Sequence, residues 1–162
     1  MNLPETLTIV SARLDDAPAI LAMQRIAFEP EARACQTRDI PPLQETVDVI
    51  REHIRMATVL KAMDGERMLG SIRGIVTDGG CLIRVLTVSP DAQGRGIGAT
   101  LLKAIEGAHP EVERFELTTN MAMVGNVRFY LRQGYEVVEQ VQYAPTIRLA
   151  QMRKIAVPRA AK

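Results

Sequence analysis

The sequence predicts a mixed α/β fold in which helices flank a mostly antiparallel sheet of about seven strands. Three observations predict it: the apolar pattern changes between helical and strand periods, tight turns join three consecutive strands, and a glycine-spaced loop connects a strand to a helix. The chain has 162 residues, a size typical of one domain with its own core. We assign residues 1–157 to this domain and residues 158–162 to a loose tail.

The first third of the chain predicts a strand followed by two helices. Residues 7–13 are rich in apolar and β-branched side chains, as strands are. The acids and proline of residues 15–18 favour a helix start, and this helix ends near Pro30. Residues 30–42 contain three prolines and no periodicity, so they predict a loop before helical spacing returns over residues 43–56.

The remaining sequence changes to the strand period and then alternates. An antiparallel meander of three strands is predicted because turn residues separate its apolar runs. The three predicted strands of the meander span residues 58–63, 68–76 and 81–88. They are followed by a helix at 97–108, a strand at 114–119, a helix at 123–133 and two strands at 135–142 and 147–154. The order β-α-α-β-β-β-α-β-α-β-β implies a mixed sheet with four helices on its faces.

Composition and charge argue against several classes of function. Lys and Arg number 20 and Asp and Glu 19, a net charge of +1, so no broad basic surface for nucleic acid or an anionic membrane is expected. No apolar run approaches the ~20 residues of a spanning helix, and no secretory signal is apparent. Two cysteines and two histidines are too few for a disulfide framework or a Cys/His zinc site, so we expect no metal and a cytoplasmic location.

The most informative segment is the loop VSPDAQGRGIG at residues 88–98, where Gly94, Gly96 and Gly98 alternate between a strand and a helix. Glycine permits a tight turn and a close approach of the backbone to a ligand. The start of a helix offers unpaired N–H groups and a positive dipole end, and Arg95 adds a cation, so the loop suits a phosphate or pyrophosphate. It lacks the Lys-Ser or Lys-Thr of a P-loop and the parallel setting of a dinucleotide fingerprint.

This loop and a second motif stand together in the sequence. Val88, Pro90, Gln93, Gly94, Gly96 and Gly98 match the pattern V-x-P-x-x-[QR]-G-x-G-x-[GA], and residues 126–135, NVRFYLRQGY, form an aromatic-rich helix that ends in Tyr-x-x-x-Gly-Tyr. The first pattern resembles the acyl-CoA-binding motif of the GNAT superfamily of N-acetyltransferases, and the second resembles that family's later signature. The element order also fits, so the resemblance covers roughly residues 7–155.

The resemblance implies an acyltransferase that moves an acetyl group from acetyl-CoA, its co-substrate, directly to a primary amine of a small molecule or a peptide. It implies that the strand ending at residue 88 splays from the strand starting near residue 114, with the pantetheine arm between them. Main-chain N–H groups from Gln93 to Gly98 would hold the pyrophosphate. The residues expected to bind CoA are Leu86, Thr87, Val88, Gln93, Gly94, Arg95, Gly96, Ile97, Gly98, Ala99 and Asn126.

The resemblance also implies which groups perform the chemistry. The main-chain N–H of Leu86 would stabilise the developing oxyanion, and the phenol of Tyr130 would protonate the leaving thiolate. The alternative for Tyr130 is that it only packs beneath CoA. Asn126 lies four residues before Tyr130, whereas the commonest family spacing is seven, where this chain has Met123.

The sequence leaves the general base and the acceptor open. The strand before the loop carries no carboxylate, and Arg84 stands where one would be sought. The base is then Glu45, Glu116 or water, or the amine arrives already neutral. Glu45 is a candidate for lining the acceptor pocket and Arg84 for meeting an acceptor carboxylate. Alternatively, Glu45 is only an acid favoured by the dipole at a helix start, and Arg84 is only a salt-bridged or solvated arginine.

Two other functions stay open from the sequence alone. A regulatory module that binds CoA without catalysis would keep the glycine loop, and a nucleotide-binding protein could use the same loop for another phosphate. The acceptor pocket is expected to be shaped by residues 30–42 and 140–146. A homodimer is expected because edge strands in this architecture often pair between subunits.

Overall fold

The computed structural model describes residues 2–157, so the tail assigned to residues 158–162 lies outside the described residues. Seven strands form one sheet in the order β1-β2-β3-β4-β5-β7-β6. All neighbouring strands run antiparallel except β4 and β5. The mixed, mostly antiparallel sheet of seven strands is therefore as predicted. The strands are β1 (Leu7–Ser11), β2 (Thr58–Asp64), β3 (Arg67–Thr77), β4 (Gly80–Val88), β5 (Arg114–Asn120), β6 (Glu136–Ala144) and β7 (Ile147–Ile155).

The helices include two short segments beyond the four predicted. They are α1 (Ala17–Ala27), α2 (Glu29–Cys35), α3 (Pro41–Gln44), α4 (Val47–Met56), α5 (Ile97–Gly107) and α6 (Val124–Arg132). Within residues 2–157, no helix combines the length and the apolar character needed to cross a membrane.

The prediction of a loop over residues 30–42 was wrong, because α2 and α3 both lie there. Each of these helices has its proline in the first turn, where the missing N–H breaks no helical hydrogen bond. Ala32 and Cys35 of α2 are buried against Ile40 and Ile147. The contacts of this small core hold α2 in place, although the segment is too short to show a helical period in the sequence.

The helix predicted over residues 43–56 is interrupted near its start. Glu45 adopts an extended backbone at the end of α3, and Thr46 caps α4 by accepting a hydrogen bond on its side chain from the Val49 N–H. A threonine at this position satisfies one of the unpaired donors of the first turn. The chain therefore turns between α3 and α4, where the sequence predicted one continuous helix.

The main core lies between the central strands and α5. Ile72 on β3 and Leu101 and Ile105 on α5 are fully buried. Two glycines of β3 permit the close packing of this helix: a Cβ on Gly70 would lie 2.9 Å from Leu101 Cδ1, and one on Gly74 would lie 2.9 Å from Ile105 Cγ1. This contact fixes the position of α5, and with it the loop that precedes the helix.

Candidate active site

The sheet opens between its two parallel strands. β4 and β5 pair at only three positions, from Gly80 opposite Arg114 to Leu82 opposite Glu116, and then diverge. Unpaired strand edges of this kind present main-chain donors and acceptors to any extended group placed between them. The splay predicted between these strands is therefore present.

A bulge bends β4 where it leaves β5. Ser71 pairs with Thr87 while Arg73 pairs with Arg84, so β4 has two residues opposite the single residue between them on β3. One of these extra residues, Val85, has a positive φ of 49°, which is rare for a β-branched side chain and indicates local strain. Bulges re-aim the strand that follows them, and here that strand leads to the glycine loop.

The main chain after the bulge points into the splay. The Ser89 N–H donates to the Leu69 carbonyl oxygen on β3, at 2.8 Å. Because main-chain groups alternate sides along a strand, those of Leu86 and Val88 face away from β3. The Val88 carbonyl accepts a hydrogen bond from the Gln93 side chain at 3.2 Å, which ties the strand end to the loop.

The glycine loop ends at the first residue of α5. Gly94 and Gly96 have φ values of 78° and 84°, a left-handed conformation that favours glycine. Helix geometry leaves the N–H groups of Ile97, Gly98 and Ala99 without intrahelical acceptors. These donors, together with the positive end of the helix dipole, make the loop suitable for an anionic ligand.

Two cavities adjoin this region. The loop cavity, of about 510 Å³, runs along the glycine loop and the first turn of α5. Every residue predicted to bind CoA except Arg95 lines it: Leu86, Thr87, Val88, Gln93, Gly94, Gly96, Ile97, Gly98, Ala99 and Asn126. The side cavity, of about 340 Å³, opens between α2, α3, α6, β4, β5 and the adjoining ends of β6 and β7. Its walls include Arg84, Pro41, Pro42 and Tyr143, so both segments expected to shape an acceptor pocket contribute.

The two cavities meet at five shared residues: Phe28, Glu31, Leu86, Asn126 and Tyr130. A molecule in the loop cavity and one in the side cavity would therefore come together beside the Leu86 main chain and the Tyr130 side chain. The predicted pair of catalytic groups lies at this junction. Phe28 and Glu31 were not predicted there, because the segment that carries them was interpreted as a helix end and a loop.

Tyr130 is held by aromatic packing. Its ring centroid lies 5.1 Å from that of Phe129 and 6.0 Å from that of Tyr135, both in edge-to-face arrangements. Burial, and secondarily the negative charge of Glu31, raises the pKa of the Tyr130 phenol above its ordinary value. The phenol is therefore protonated at neutral pH.

Three residues considered from the sequence lie outside both cavities. The Arg95 side chain donates to the main-chain oxygen of Asn2 at 3.1 Å and does not line the loop cavity. Glu116 on β5 pairs with Arg114 and Arg153. Glu45 binds Arg73 with an N–O distance of 2.7 Å. Neither carboxylate borders the side cavity.

Glu45 belongs to a buried polar cluster around Arg73. The Arg73 guanidinium, only 3% exposed, also contacts His53 Nδ1 and donates to Gln24 Oε1, each at 2.7 Å. Gln24 in turn donates to the main-chain oxygen of Pro42 at 2.7 Å. The cluster therefore connects the sheet to α1 and to the wall of the side cavity. No group of His, Cys, Asp and Glu side chains in the described part of the chain is arranged to hold a metal ion.

The geometry of the site agrees with a known family. A family model for the acetyltransferase (GNAT) domain matches residues 32–156. The chain belongs to the GNAT acetyltransferase family. The splayed strands, the glycine loop and the Tyr130 helix of this GNAT domain all lie within the matched residues.

Solved structures share the GNAT fold at low sequence identity. The ribosomal-protein-S18-alanine N-acetyltransferase from Escherichia coli is 15% identical with a TM-score of 0.78, over 96% of this chain and 99% of that chain. YncA from Salmonella typhimurium, solved with its cofactor acetyl-CoA, is 18% identical with a TM-score of 0.74, over 96% and 97%. A ribosomal-protein-alanine N-acetyltransferase from Brucella melitensis is 21% identical with a TM-score of 0.72, over 91% and 99%. Comparison with curated protein sequences finds no match.

Proposed function

We propose that this GNAT protein transfers an acetyl group from acetyl-CoA directly to a primary amine of a small molecule or a polypeptide. The observation that carries the proposal is the junction of the loop cavity and the side cavity at Leu86 and Tyr130. A donor bound along the glycine loop and an acceptor bound in the side cavity would meet there. The solved structure of YncA with acetyl-CoA supports the choice of donor.

The loop cavity suits a CoA ligand in two ways. Its polar end consists of main-chain N–H groups at the start of α5, which would bind the pyrophosphate. Its inner end lies along the free edge of β4, where Leu86 and Val88 would pair with the amides of the pantetheine arm as an added strand would. Gln93 to Ala99 and Asn126 complete the proposed donor site, with Arg95 contributing through its main chain only.

Acetyl-CoA, as co-substrate, supplies an acetyl thioester. The Leu86 N–H would donate to the carbonyl oxygen of this thioester as negative charge develops there. Loss of one such donor typically reduces the rate by about 10²–10³-fold. Tyr130 would donate its proton to the departing thiolate, whose conjugate thiol has a pKa near ~8.5. Both groups come from elements fixed by the sheet and by aromatic packing, so they require little rearrangement.

The acceptor is proposed from the walls of the side cavity. Arg84 is exposed and lines this cavity, so we expect it to bind an anionic group of the acceptor by a charge-assisted hydrogen bond. The names of two structural neighbours refer to alanine acetylation of ribosomal protein. Those names support a test of peptide amines beside small-molecule amines.

The test is an acetylation assay with a panel of amines. The purified protein is incubated with acetyl-CoA and with amino acids, polyamines, lysine peptides and peptides with a free α-amine. Thiol release is followed, and the acetylated amine is identified by mass spectrometry. We expect amine-dependent thiol release with at least one acceptor class. Binding of acetyl-CoA without turnover across the panel would contradict the proposal and indicate a regulatory module.

A further inference from the structure

The short helix α2 places one carboxylate at the junction of the two cavities. Glu31 lies in its first turn, and the burial of Ala32 and Cys35 against the small core of α2 fixes the orientation of that turn. Glu31 lines both the loop cavity and the side cavity, together with Tyr130. It is therefore positioned between the proposed donor and the proposed acceptor.

Glu31 is the only carboxylate among the described residues that lines either cavity. The other charged or titratable side chains on these walls are Arg84 on β4, Tyr130 and Arg132 on α6 and Tyr143 on β6. Across residues 2–157, no lysine, arginine or histidine forms an ion pair with Glu31. An unpaired carboxylate in a cleft is a candidate for a functional role.

The electrostatics of Glu31 are consistent with a role in proton transfer. Burial raises the pKa of its carboxyl above the ordinary value, which brings a glutamate nearer to the range in which it accepts protons efficiently at neutral pH. Its charge also contributes, after burial, to the raised pKa of Tyr130. Glu31 as proton acceptor and Tyr130 as proton donor would thus lie at one junction with their roles separated.

We propose that Glu31 binds the acceptor as an ammonium ion and then removes its proton, acting as the catalytic base. This inference deepens the proposed function and rests on it. It also answers the question that the sequence left open, because Glu45 and Glu116 are engaged with arginines outside the two cavities.

The proton and bond changes balance with the residues at the junction. One N–H bond of the ammonium breaks and its proton goes to the Glu31 carboxylate. The freed lone pair forms a C–N bond with the thioester carbonyl carbon. The C–S bond breaks, and the sulfur takes the Tyr130 proton. After the C–N bond forms, the nitrogen carries two protons; one stays in the amide and the other goes to Tyr130, which restores the phenol. Glu31 releases its proton to water when the product leaves.

The decisive variant is Glu31→Gln, which keeps the size and removes the charge. We expect kcat/KM for the amine to fall by roughly 10²–10⁴-fold at pH 7, the usual contribution of a general base. The loss should shrink as pH rises toward the pKa of the amine, because the neutral amine then needs no base. The KM for acetyl-CoA should stay unchanged, and so should the stabilisation against thermal unfolding that acetyl-CoA provides.

Glu29→Gln is the matched control on the same helix. Glu29 pairs with Arg38 at the surface and lines neither cavity, so its kcat/KM should remain within about threefold of wild type, as expected for an exposed ion pair. Stability separates a catalytic role from a structural one. Because the raised pKa means that ionised Glu31 is disfavoured in the folded state, Glu31→Gln should leave the thermal midpoint at pH 7 unchanged or raised.

The outcomes distinguish the two proposals. An active wild type with Glu31→Gln also active within threefold at pH 7 would overturn the role of Glu31 and leave the proposed function standing. The same conclusion would follow if the loss of activity were independent of pH and accompanied by a lower thermal midpoint. A wild type that binds acetyl-CoA but acetylates no amine in the panel would overturn the proposed function and the base together.

Discussion

Removal of the Arg73 guanidinium is expected to be among the most destabilising single changes in this protein. Its side chain is 3% exposed and contacts three polar partners at 2.7 Å each, of which Glu45 is itself only 12% exposed. Arg73→Met would retain most of the apolar volume and leave a carboxylate without its cation. Breaking a buried pair in this way typically costs about 3–5 kcal/mol.

The assay is equilibrium unfolding in urea. With a slope of about 2 kcal/mol per molar, the expected cost lowers the midpoint by roughly 1.5–2.5 M. Arg51→Met is the matched control, because Arg51 pairs with Asp48 at the surface of α4 with an N–O distance of 3.2 Å, and such pairs contribute about 0.2–1 kcal/mol.

A double variant tests the cause of the destabilisation. Arg73→Met combined with Glu45→Gln removes the unpaired charge, so it should recover a substantial part of the lost free energy of unfolding. A loss below about 1 kcal/mol for Arg73→Met, or a double variant no more stable than the single one, would refute the argument that an uncompensated buried charge dominates.

Three further predictions concern the site. Tyr130→Phe should lower kcat by roughly 10²–10⁴-fold with little change in the KM for acetyl-CoA, whereas Tyr143→Phe in the side cavity should not; a Tyr130→Phe enzyme within threefold of wild type would leave only a packing role. Arg84→Gln should weaken the binding of acceptors that carry an anionic group by about 10–100-fold, the effect of one hydrogen bond to a charged group. In steady-state kinetics, the KM of amines without such a group should change little. Gly96→Ala should lose about 1–2 kcal/mol in thermal unfolding because its φ is 84°, whereas Gly98→Ala, which lacks a positive φ and meets only ordinary contacts, should be neutral or stabilising; equal effects of the two would contradict this reasoning.

Features encoded over short stretches of sequence were predictable. The strands follow from apolar alternation, and the glycine loop follows from residues adjacent in the chain. The position of Tyr130 beside the Leu86 main chain followed only from the family resemblance. Apolar periodicity cannot supply such a relation, since it reports burial and says nothing about which distant groups meet.

Features created by distant contacts were not predictable in the same way. The acids and the proline at the start of α2 are a recognised helix start, but α2 is too short for a periodic pattern and is held by Ile40 and Ile147. The role we propose for Glu31 depends on that helix. Similarly, the partners of Arg73 come from α1, α4 and the turn before α4, far from β3 in sequence. Their assembly is a tertiary effect.

The splay between β4 and β5 also bears on how such proteins diverge. If the donor is recognised mainly by peptide groups along the β4 edge and the start of α5, most side chains around it are free to drift without loss of recognition. Evolution then needs to retain only backbone shape, through a few glycines and a bulge. A constraint on backbone shape alone is consistent with identities of 15–21% alongside TM-scores of 0.72–0.78.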